Sequence, residues 1–359
     1  MPAFEIYAGS QAKATIAKHG FKAELFGAVL GASGGPKWFI LKGLDQFLFG
    51  SWLQNIDHPI ELLGSSAGAF RFASLSQSDP VGSIERLAQR YSTTVYSANP
   101  SAREITDHAQ QLLNYVLGNN GVSEILGNTK FHSHFVVARC LGLVACDQPA
   151  LQVLGLAQSF ALNRLNRRHL KRQYQRVLFS HPQSQLTIND PYQIPTQNVE
   201  LSQQNLFSAL MASGSIPMVL ESVRDIPGAG PGIYRDGGIV DYHFDLDVGL
   251  NSDPTKDGFL TLYPHFQAQV KAGWFDKSLK RPVCEKHYRN VVMICPSSEL
   301  VKSLPYGKIS DRKDFSELSP EQRLPYWQTV LEKSHQLADE FEVWLEQPNL
   351  DDIRPLPFL

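Results

Sequence analysis

Between residues 59 and 75 the chain reads PIELLGSSAGAFRFASL. Its first six residues form an apolar run of strand length, a Gly/Ser turn follows, and an apolar helix is predicted from about residue 67. The turn, Gly64-Ser65-Ser66-Ala67-Gly68, matches G-x-S-x-G, in which a tight turn lifts a serine clear of a sheet. The helix N-terminus beyond it favours developing negative charge. We therefore expect Ser66 to be a nucleophile; the alternative is a purely structural Gly/Ser turn.

An earlier segment has the same pattern. Residues 24–33 form a short apolar strand that runs into a Gly-rich turn, and residues 36–49 carry apolar side chains at helical spacing, with Pro36 suited to a first helical turn. Two successive strand–turn–helix units predict an α/β fold with a central, mainly parallel sheet flanked by helices. Ligands of such sheets bind beyond the carboxyl ends of the strands, which is where both Gly-rich turns lie.

The remaining elements are assigned from periodicity and from turn residues. We predict helices over 84–97, 104–118, 151–178 and 326–347, strands over 134–140, Gly258–Tyr263 and Asn290–Cys295, and a Gly/Pro-rich loop over 223–236. We find no linker or internal repeat. A single domain over residues 1–359 is therefore expected, with a motif-bearing core at about 20–245 and with strands and a helix at 255–350 completing it.

The pattern G-x-S-x-G occurs twice, because Gly31-Ala32-Ser33-Gly34-Gly35 also matches it. Ser33 therefore competes with Ser66 for the same role. A Gly-Gly turn at a helix N-terminus offers free backbone N–H groups, as an oxyanion hole requires. We expect Gly34 and Gly35 to be those donors and Lys37 to add positive charge, although Lys37 equally fits an ordinary exposed lysine.

An acidic residue followed by two glycines, Asp236-Gly237-Gly238, comes at the end of the Gly/Pro-rich loop. The triplet places a carboxylate on a bend, and because its two glycines have no side chains, a neighbouring segment of backbone can approach this bend closely. Asp and Gly are common turn residues, so the triplet alone is more typical of a turn. It becomes a candidate general base only together with the two Gly-rich turns that precede it.

In this order the motifs resemble those of the patatin-like phospholipase family: a Gly-Gly-x-Lys/Arg turn, a later G-x-S-x-G and a distant Asp-Gly-Gly. Residues 212–217, ASGSIP, also resemble that family's Ala-Ser-x-x-x-Pro element. The resemblance covers roughly residues 25–241. The chain departs from the family's usual Gly-Gly-Gly-x-Arg/Lys-Gly turn, because Ser33 and Trp38 replace its first and last glycines. These two changes affect the oxyanion hole and the acyl entrance.

The resemblance implies a patatin-like three-layer fold and a Ser–Asp dyad that needs no histidine, metal or organic cofactor. Ser66 would attack a fatty-acyl ester, Asp236 would take its proton, and the expected oxyanion donors would hold the developing charge. An Asp with a pKa of about 3.9 is a weak base, so burial would have to raise that pKa, or the dyad must work by geometry and electrostatics. Four glycines would support the motifs: Gly64, Gly68, Gly237 and Gly238. Headgroup, acyl position, chain length and oligomeric state stay open.

Two other functions are compatible with the sequence. An α/β-hydrolase-type esterase would use a Ser–Asp–His triad, and the chain order permits Ser66, Asp236 and then His243 or His265. His243 is close enough in sequence to Asp236 to interact with it. Alternatively, a catalytically degenerate chain would serve as a lipid-binding or interaction module.

Composition limits the compartment and the partners. The 359 residues are 43% apolar and 19% charged with a net charge of −2, which is typical of a folded protein without a global field for nucleic acid. The four cysteines have neither zinc-site nor disulfide-scaffold spacing, which favours a reducing compartment. No secretory signal or long apolar segment is recognisable, so a cytoplasmic protein is expected, with signal-free secretion as an alternative.

Residues 164–176, RLNRRHLKRQYQR, are strongly basic. On a helical wheel the basic side chains fill about half of the circumference, and Leu165, Leu170 and Tyr174 lie largely on the other half. The segment predicts a basic amphipathic helix. It would either make a peripheral contact with anionic lipid headgroups or present a solvated face while packing on the core.

Overall fold

The computed structural model of the protein describes residues 2–251 and 259–358. The strands are β1 Phe4–Ala8, β2 Phe26–Gly31, β3 Ile60–Ser65, β4 Phe131–Cys140, β5 Tyr174–Ser180, β6 Leu186–Asn189, β7 Thr196–Glu200, β8 Val223–Arg224, β9 Ile233–Asp236, β10 Asp247–Leu250, β11 Leu260–Pro264, β12 Val291–Pro296 and β13 Ile353–Pro355. The α-helices are α1 Ser10–His19, α2 Lys42–Phe47, α3 Ala67–Leu75, α4 Pro80–Ser92, α5 Ala102–Leu117, α6 Gly121–Gly127, α7 Pro149–Leu165, α8 Leu206–Ser213, α9 Ser298–Ser303, α10 Asp314–Glu317 and α11 Pro320–Glu346.

The strands form one large sheet in the order β13-β1-β12-β11-β2-β3-β4-β5-β7, and β6 pairs with β10 in a small separate sheet. The five central neighbours from β12 to β4 run parallel. Antiparallel pairs occur further out, where β1 joins β12 and β5 joins β4. Helices flank this sheet, so the expected α/β fold with a central, mainly parallel sheet is confirmed.

The composition of the central strands explains why they are buried. Every residue of β2 and β3 is buried, as expected for parallel strands covered on both faces. Glu61 is the one charged residue of β3, and it is buried as well. Its carboxylate is bonded by ring nitrogens of His132 and His134 on β4, at 2.9 and 2.5 Å, so this buried charge is compensated within the sheet.

One edge of β4 brings two distant parts of the chain together. The first part of β4 pairs with β3, with Ser65 opposite Val136, and its second part pairs antiparallel with β9, with Asp236 opposite Val137. The ends of β3 and β9 therefore meet at adjacent positions of β4. The turns that follow these two ends lie side by side, although they are far apart in sequence.

Several of the sequence-based assignments are confirmed, namely the first two strands, the helix after Ser66 and the C-terminal amphipathic helix, of which residues 326–346 belong to α11. The helix predicted over 36–49 is instead a 3-10 helix Gly35–Leu41, the short α2 and a π-helix Leu48–Trp52. The strand predicted from Gly258 begins at Leu260, and residue 258 lies outside the described residues.

The helix predicted over 151–178 is wrong in its second half. α7 ends at Leu165, a 3-10 helix Arg167–Arg172 follows, and β5 then pairs along its whole length with β4. Tertiary pairing overrides helical periodicity here. The basic segment 164–176 is therefore not one amphipathic helix. Arg167 and Arg176 are buried and form ion pairs inside the protein, so they do not belong to a solvated basic face.

The predicted loop over 223–236 is also wrong at both ends, which are the strands β8 and β9. The loop character is confined to the middle, where Gly228 and Gly230 have positive φ angles of 83° and 87°. This correction matters because it makes Asp236 the last residue of a strand, held by the sheet.

Within the described residues, no helix is long and apolar enough to cross a membrane. The four cysteines are free thiols, and those at Cys140 and Cys295 are buried.

Candidate active site

Ser66 lies in the turn between β3 and α3 with φ 53° and ψ −121°, a conformation that non-glycine residues rarely adopt. Such strain costs about 1–3 kcal/mol and persists only where the surroundings hold it. Here the Ser66 N–H donates to Ser213 Oγ at 2.9 Å, and the Ser213 hydroxyl donates to the Val136 carbonyl at 2.8 Å. The strained turn is thereby tied to α8 and β4.

Two glycines allow this turn to lie directly against neighbouring backbone. A Cβ at Gly68 would lie 1.9 Å from the Gly31 carbonyl oxygen on β2, and a Cβ at Gly64 would lie 2.7 Å from the Gly68 carbonyl carbon. Any larger residue would push α3 away from the sheet. Glycine on both sides of Ser66 therefore has a steric reason in this fold.

The Ser66 hydroxyl donates a hydrogen bond to Asp236 Oδ2 at 2.7 Å. The other carboxylate oxygen accepts from the Gly238 N–H at 2.6 Å, and the Asp236 N–H donates to the Ser215 carbonyl at 3.0 Å. A Cβ at Gly237 would lie 2.1 Å from the Val136 carbonyl oxygen, so only glycine fits beside β4 there. The carboxylate is thus fixed on both oxygens and aimed at the serine.

Burial raises the pKa of Asp236 from 3.8 to about 6, because a desolvated carboxylate is less stable in its charged form. The hydrogen bonds from Ser66 and Gly238 oppose this shift, as does the positive charge of Lys277 and Arg312. The result is a carboxylate that is mostly ionised at neutral pH and more basic than an exposed Asp. This is the direction that general-base catalysis requires.

The predicted oxyanion turn lies in the wall of the same cavity as Ser66. Gly35 has φ 58° and opens the 3-10 helix Gly35–Leu41, in whose first turn the N–H groups have no acceptor within the helix. A Cβ at Gly34 would lie 2.7 Å from the Phe266 ring. The two glycines therefore allow a tight turn in the wall of the cavity that Ser66 also lines.

Lys37 lines this cavity as well, but its charge is partly engaged. Its ammonium group lies 3.3 Å from Asp311 Oδ2 and 5.5 Å from the centre of the Phe266 ring. The structure thus places Lys37 beside the site as one half of an ion pair. The nearby Asp311 carboxylate partly neutralises the positive charge that Lys37 brings to the site.

Ser33, the competing serine, has a different environment. It is buried, and its hydroxyl donates to the backbone oxygen and to the Oγ of Ser65, at 3.2 and 3.1 Å. Among the described residues, the hydrogen bonds of its side chain involve no carboxylate or imidazole. Ser33 therefore supports the turn next to Ser66, and no described residue is placed to act as its base. Trp38 is buried in the core and also lines the larger of two cavities.

The two histidines considered for a triad are buried near the site but do not form one. His243 Nδ1 accepts from the Lys271 N–H at 3.0 Å, and His265 Nδ1 makes its shortest contact by donating to the Gln267 carbonyl oxygen. Burial holds the pKa of both rings well below the usual value, so both are neutral. Since the Asp236 oxygens are bonded by Ser66 and Gly238, neither ring stands between the serine and the acid.

Two cavities meet at Ser66. The larger, about 840 Å³, is walled mainly by aromatic and aliphatic side chains, among them Trp38, Phe70, Leu87, Tyr91, Leu112, Val219 and Phe315. The smaller, about 410 Å³, contains Asp236 and several basic side chains, and we call it the polar cavity because of these charged groups. Gly35, Ser66, Ile216 and Arg312 line both. Ser66 therefore lies at the junction of the two cavities.

Sequence reasoning missed several residues of the site. Ser213 lies in the segment 212–217 that carried the family resemblance, but no role followed from the sequence. Lys277 and Arg312 line the polar cavity from parts of the chain that show no motif. Within residues 2–251 and 259–358, no group of three or more His, Cys, Asp or Glu side chains is placed to hold a metal ion.

No protein-family model and no curated protein sequence matches this chain. Among solved structures, VipD from Legionella pneumophila is similar, with 12% sequence identity and a TM-score of 0.38 over 94% of this chain and 70% of VipD. At that TM-score the likeness is too weak to inform the site. The class of site is therefore inferred from the geometry of this chain itself.

Proposed function

We propose that this protein is a serine hydrolase that cleaves fatty-acyl esters of lipids through an acyl-Ser66 intermediate. The proposal depends above all on one observation, the 2.7 Å hydrogen bond from the Ser66 hydroxyl to Asp236 Oδ2 on a strained strand–helix turn. An apolar cavity of about 840 Å³ opens at this serine, which supports a long acyl chain as the bound group.

In the first half of the reaction, Ser66 Oγ attacks the ester carbonyl carbon while its proton passes to Asp236 Oδ2. The carbonyl oxygen becomes an oxyanion beside the Gly34–Gly35 turn, whose backbone N–H groups stabilise it. The carbon–oxygen bond to the alcohol then breaks. The alcohol leaves with the proton held by Asp236, and the acyl group remains on Ser66.

In the second half, water takes the place of the alcohol. Asp236 accepts a proton from this water as the water oxygen attacks the acyl carbon. Collapse of the second tetrahedral intermediate breaks the bond to Ser66 Oγ, which recovers its proton from Asp236, and the fatty acid is released. The Asp236 carboxylate thus serves as base and then as acid in each half of the reaction. A pKa of about 6 fits both roles at neutral pH better than the ordinary pKa of an Asp does.

The experiment that tests this proposal is labelling with a fluorophosphonate, which reacts with activated serines. We expect the wild-type protein and Ser33→Ala to be labelled on the peptide that contains residue 66, and Ser66→Ala to remain unlabelled. Ser33→Ala is the matched control, because it removes a hydroxyl from the same cavity. Labelling that is lost only in Ser33→Ala would contradict the assignment, and a wild-type protein that is never labelled would favour the non-catalytic lipid-binding module.

A lipid hydrolase must reach lipid in aggregates, and we propose that α7 and the turn after it make this contact. Val153, Leu154 and Leu165 are 50%, 59% and 77% exposed, which is unusual for aliphatic side chains. The exposed basic residues around Leu165 are Arg164, Arg168, Lys171 and Arg172. Apolar residues beside cations are the combination that binds an anionic bilayer surface.

This surface is connected to the site. The Met218 N–H donates to Gln152 of α7 at 3.2 Å, and Met218 follows Ile216 and Pro217, which line the polar cavity. Met218 itself is 47% exposed. A membrane contact along α7 would therefore lie next to the loop that borders Ser66.

We expect the double variant Leu154→Asp/Leu165→Asp to bind vesicles that contain phosphatidylglycerol at least about tenfold more weakly than the wild type, because two inserted side chains are lost. Vesicle sedimentation measures this. Val343→Asp is the matched control, since Val343 is 65% exposed on α11, outside this surface. Equal binding by all three proteins would contradict the contact.

A further inference from the structure

The predicted oxyanion turn offers few donors to a developing negative charge. Pro36 has no N–H, and the Lys37 ammonium is already paired with Asp311 at 3.3 Å. The backbone N–H groups of Gly34 and Gly35 remain as donors. An oxyanion hole acts through several donors that are fixed in place before the reaction, so a further donor beside these glycines would add to its effect.

We propose that Tyr91 is a further catalytic residue, whose hydroxyl donates a hydrogen bond to the oxyanion. This inference rests on the proposed function, because the oxyanion forms only if Ser66 attacks an ester carbonyl. A Cβ at Gly35 would lie 3.7 Å from Tyr91 Oη, so the hydroxyl lies beside the oxyanion turn. Tyr91, Gly35 and Ser66 all line the apolar cavity, so these three residues surround one space.

The ring of Tyr91 is held against the same turn. Tyr91 is the second-last residue of α4, and its ring makes edge-to-face contacts with the rings of Phe39 and Trp327, with centres 5.4 and 6.4 Å apart. Phe39 belongs to the 3-10 helix Gly35–Leu41, which begins at the oxyanion turn. Packing thus positions the hydroxyl before any substrate binds, and a donor that does not have to reorganise is the kind that stabilises a transition state.

The Tyr91 hydroxyl is available to a ligand. Among the described residues, no atom forms a hydrogen bond with it. The residue is partly exposed and lines the apolar cavity, so a substrate can reach it. Desolvation by the surrounding protein raises the pKa of the hydroxyl well above its usual value, so the group keeps its proton at neutral pH. A hydroxyl largely removed from water gains from an acceptor, and an oxyanion is a strong one.

A purely structural Tyr91 would act through its ring alone, as one wall of the apolar cavity. Substitution by Phe keeps that ring and removes only the oxygen atom, so Tyr91→Phe separates the two roles. A wall residue would leave hydrolysis unchanged. An oxyanion donor would lower kcat with little effect on KM, because the negative charge is absent from the bound ester and develops only as Ser66 attacks.

We expect Tyr91→Phe to lower kcat for a short-chain ester about 10²-fold at nearly unchanged KM, as loss of one oxyanion donor implies. Its melting temperature should equal or exceed that of wild type, since no hydrogen bond within the described chain is lost. Tyr7→Phe is the matched control and should keep the wild-type kcat. Tyr7 is a buried tyrosine of β1 that lines neither cavity, and its hydroxyl donates to Glu5 at 2.8 Å. Equal kcat in Tyr91→Phe and wild type, or a change in KM alone, would overturn the proposal.

An oxyanion mimic tests the contact without turnover. Ser66 Oγ adds to the carbonyl carbon of an alkyl trifluoromethyl ketone, its proton passes to Asp236, and a hemiketal oxyanion results. The matched alkyl alcohol binds without forming a bond. Tyr91→Phe should weaken inhibition by the ketone about tenfold or more and leave inhibition by the alcohol unchanged. An equal loss for both compounds would mean a damaged cavity and would reject the donor.

Fluorophosphonate labelling distinguishes failure of this inference from failure of the proposed function. The phosphonyl oxygen takes the position of the oxyanion, so Tyr91→Phe should be labelled more slowly than wild type. A wild-type protein that is labelled on Ser66, at the same rate as Tyr91→Phe, would reject the Tyr91 donor alone. An unlabelled wild type would reject the hydrolase and the Tyr91 donor with it.

Discussion

Asp236→Asn should reduce kcat/KM for ester hydrolysis by about 10³-fold while leaving a protein that is more stable than wild type at neutral pH. General-base catalysis contributes about 10²–10⁴-fold, and an amide is not a base. The substitution keeps the shape of the side chain and an oxygen for the Gly238 N–H, so the turn should be retained. Steady-state kinetics and chemical denaturation of the same preparation measure both effects.

The expected gain in stability follows from the sign of the pKa shift. Burial raises the pKa of Asp236 from 3.8 to about 6, so the folded state holds this proton more tightly than the unfolded chain does. Between those two values the free energy of unfolding falls as the pH rises, by about 3 kcal/mol in total. Asp236→Asn removes that penalty. Its advantage over wild type should therefore be largest at pH 7 and disappear below pH 3.8.

Asp241→Asn is the matched control, with an effect of opposite sign. Asp241 is also a buried carboxylate, but it accepts from the Arg176 guanidinium at 2.5 and 2.9 Å. Removing its charge leaves a buried arginine with a lost partner, so stability should fall by about 3 kcal/mol or more. If Asp236→Asn destabilised the protein as Asp241→Asn does, Asp236 would be a structural ion-pair partner and not a desolvated base.

The same pKa fixes the pH dependence of the wild-type reaction. Asp236 must be ionised to accept the proton of Ser66, so kcat/KM should fall about tenfold for each pH unit below about 6. A profile that was flat down to about pH 4 would mean that the carboxylate has an ordinary pKa. That outcome would remove the main reason for treating it as a base.

Local features of the sequence predicted the parts of the fold that depend on local chemistry. Two strand–turn–helix units with Gly-rich turns were enough to predict a mainly parallel α/β sheet, since parallel strands buried on both faces are continuous apolar runs. The order of Gly35, Ser66 and Asp236 led to a candidate site whose members the structure brings together. Gly35 and Ser66 are recognisable because each lies in a Gly-rich turn after a predicted strand, and Asp236 is recognisable because two glycines follow it.

Features that depend on long-range pairing could not be predicted. β5 has helical periodicity in its sequence, and only its pairing with β4 makes it a strand, which also buries Arg176. Lys277 and Arg312 share one cavity because of the path of the chain after the motif-bearing core, and neither has a sequence signal. The polar half of the site was therefore the half that sequence reasoning missed.

Gly68→Ala should unfold the protein or destabilise it by more than about 3 kcal/mol, although the added group is a single methyl. Its Cβ would lie 1.9 Å from the carbonyl oxygen and 2.2 Å from the carbonyl carbon of Gly31, which belongs to the central strand β2. Backbone of a central strand yields less readily than a side chain does, so α3 would have to move. Because Ser66 immediately precedes α3, any folded fraction should also lose fluorophosphonate reactivity.

Gly127→Ala is the matched control for this steric effect. Gly127 is also a helical glycine, in α6, but a Cβ there would meet nothing within 4 Å, so alanine should be neutral or slightly stabilising through helix propensity. Thermal denaturation of both variants, together with their labelling rates, separates the two cases. The contrary result would be a Gly68→Ala protein with the same melting temperature as Gly127→Ala and an unchanged labelling rate. In that case α3 and β2 would be less tightly packed than the 1.9 Å distance from a Gly68 Cβ to the Gly31 carbonyl oxygen indicates. The strained turn would then not depend on that contact to hold Ser66 against Asp236.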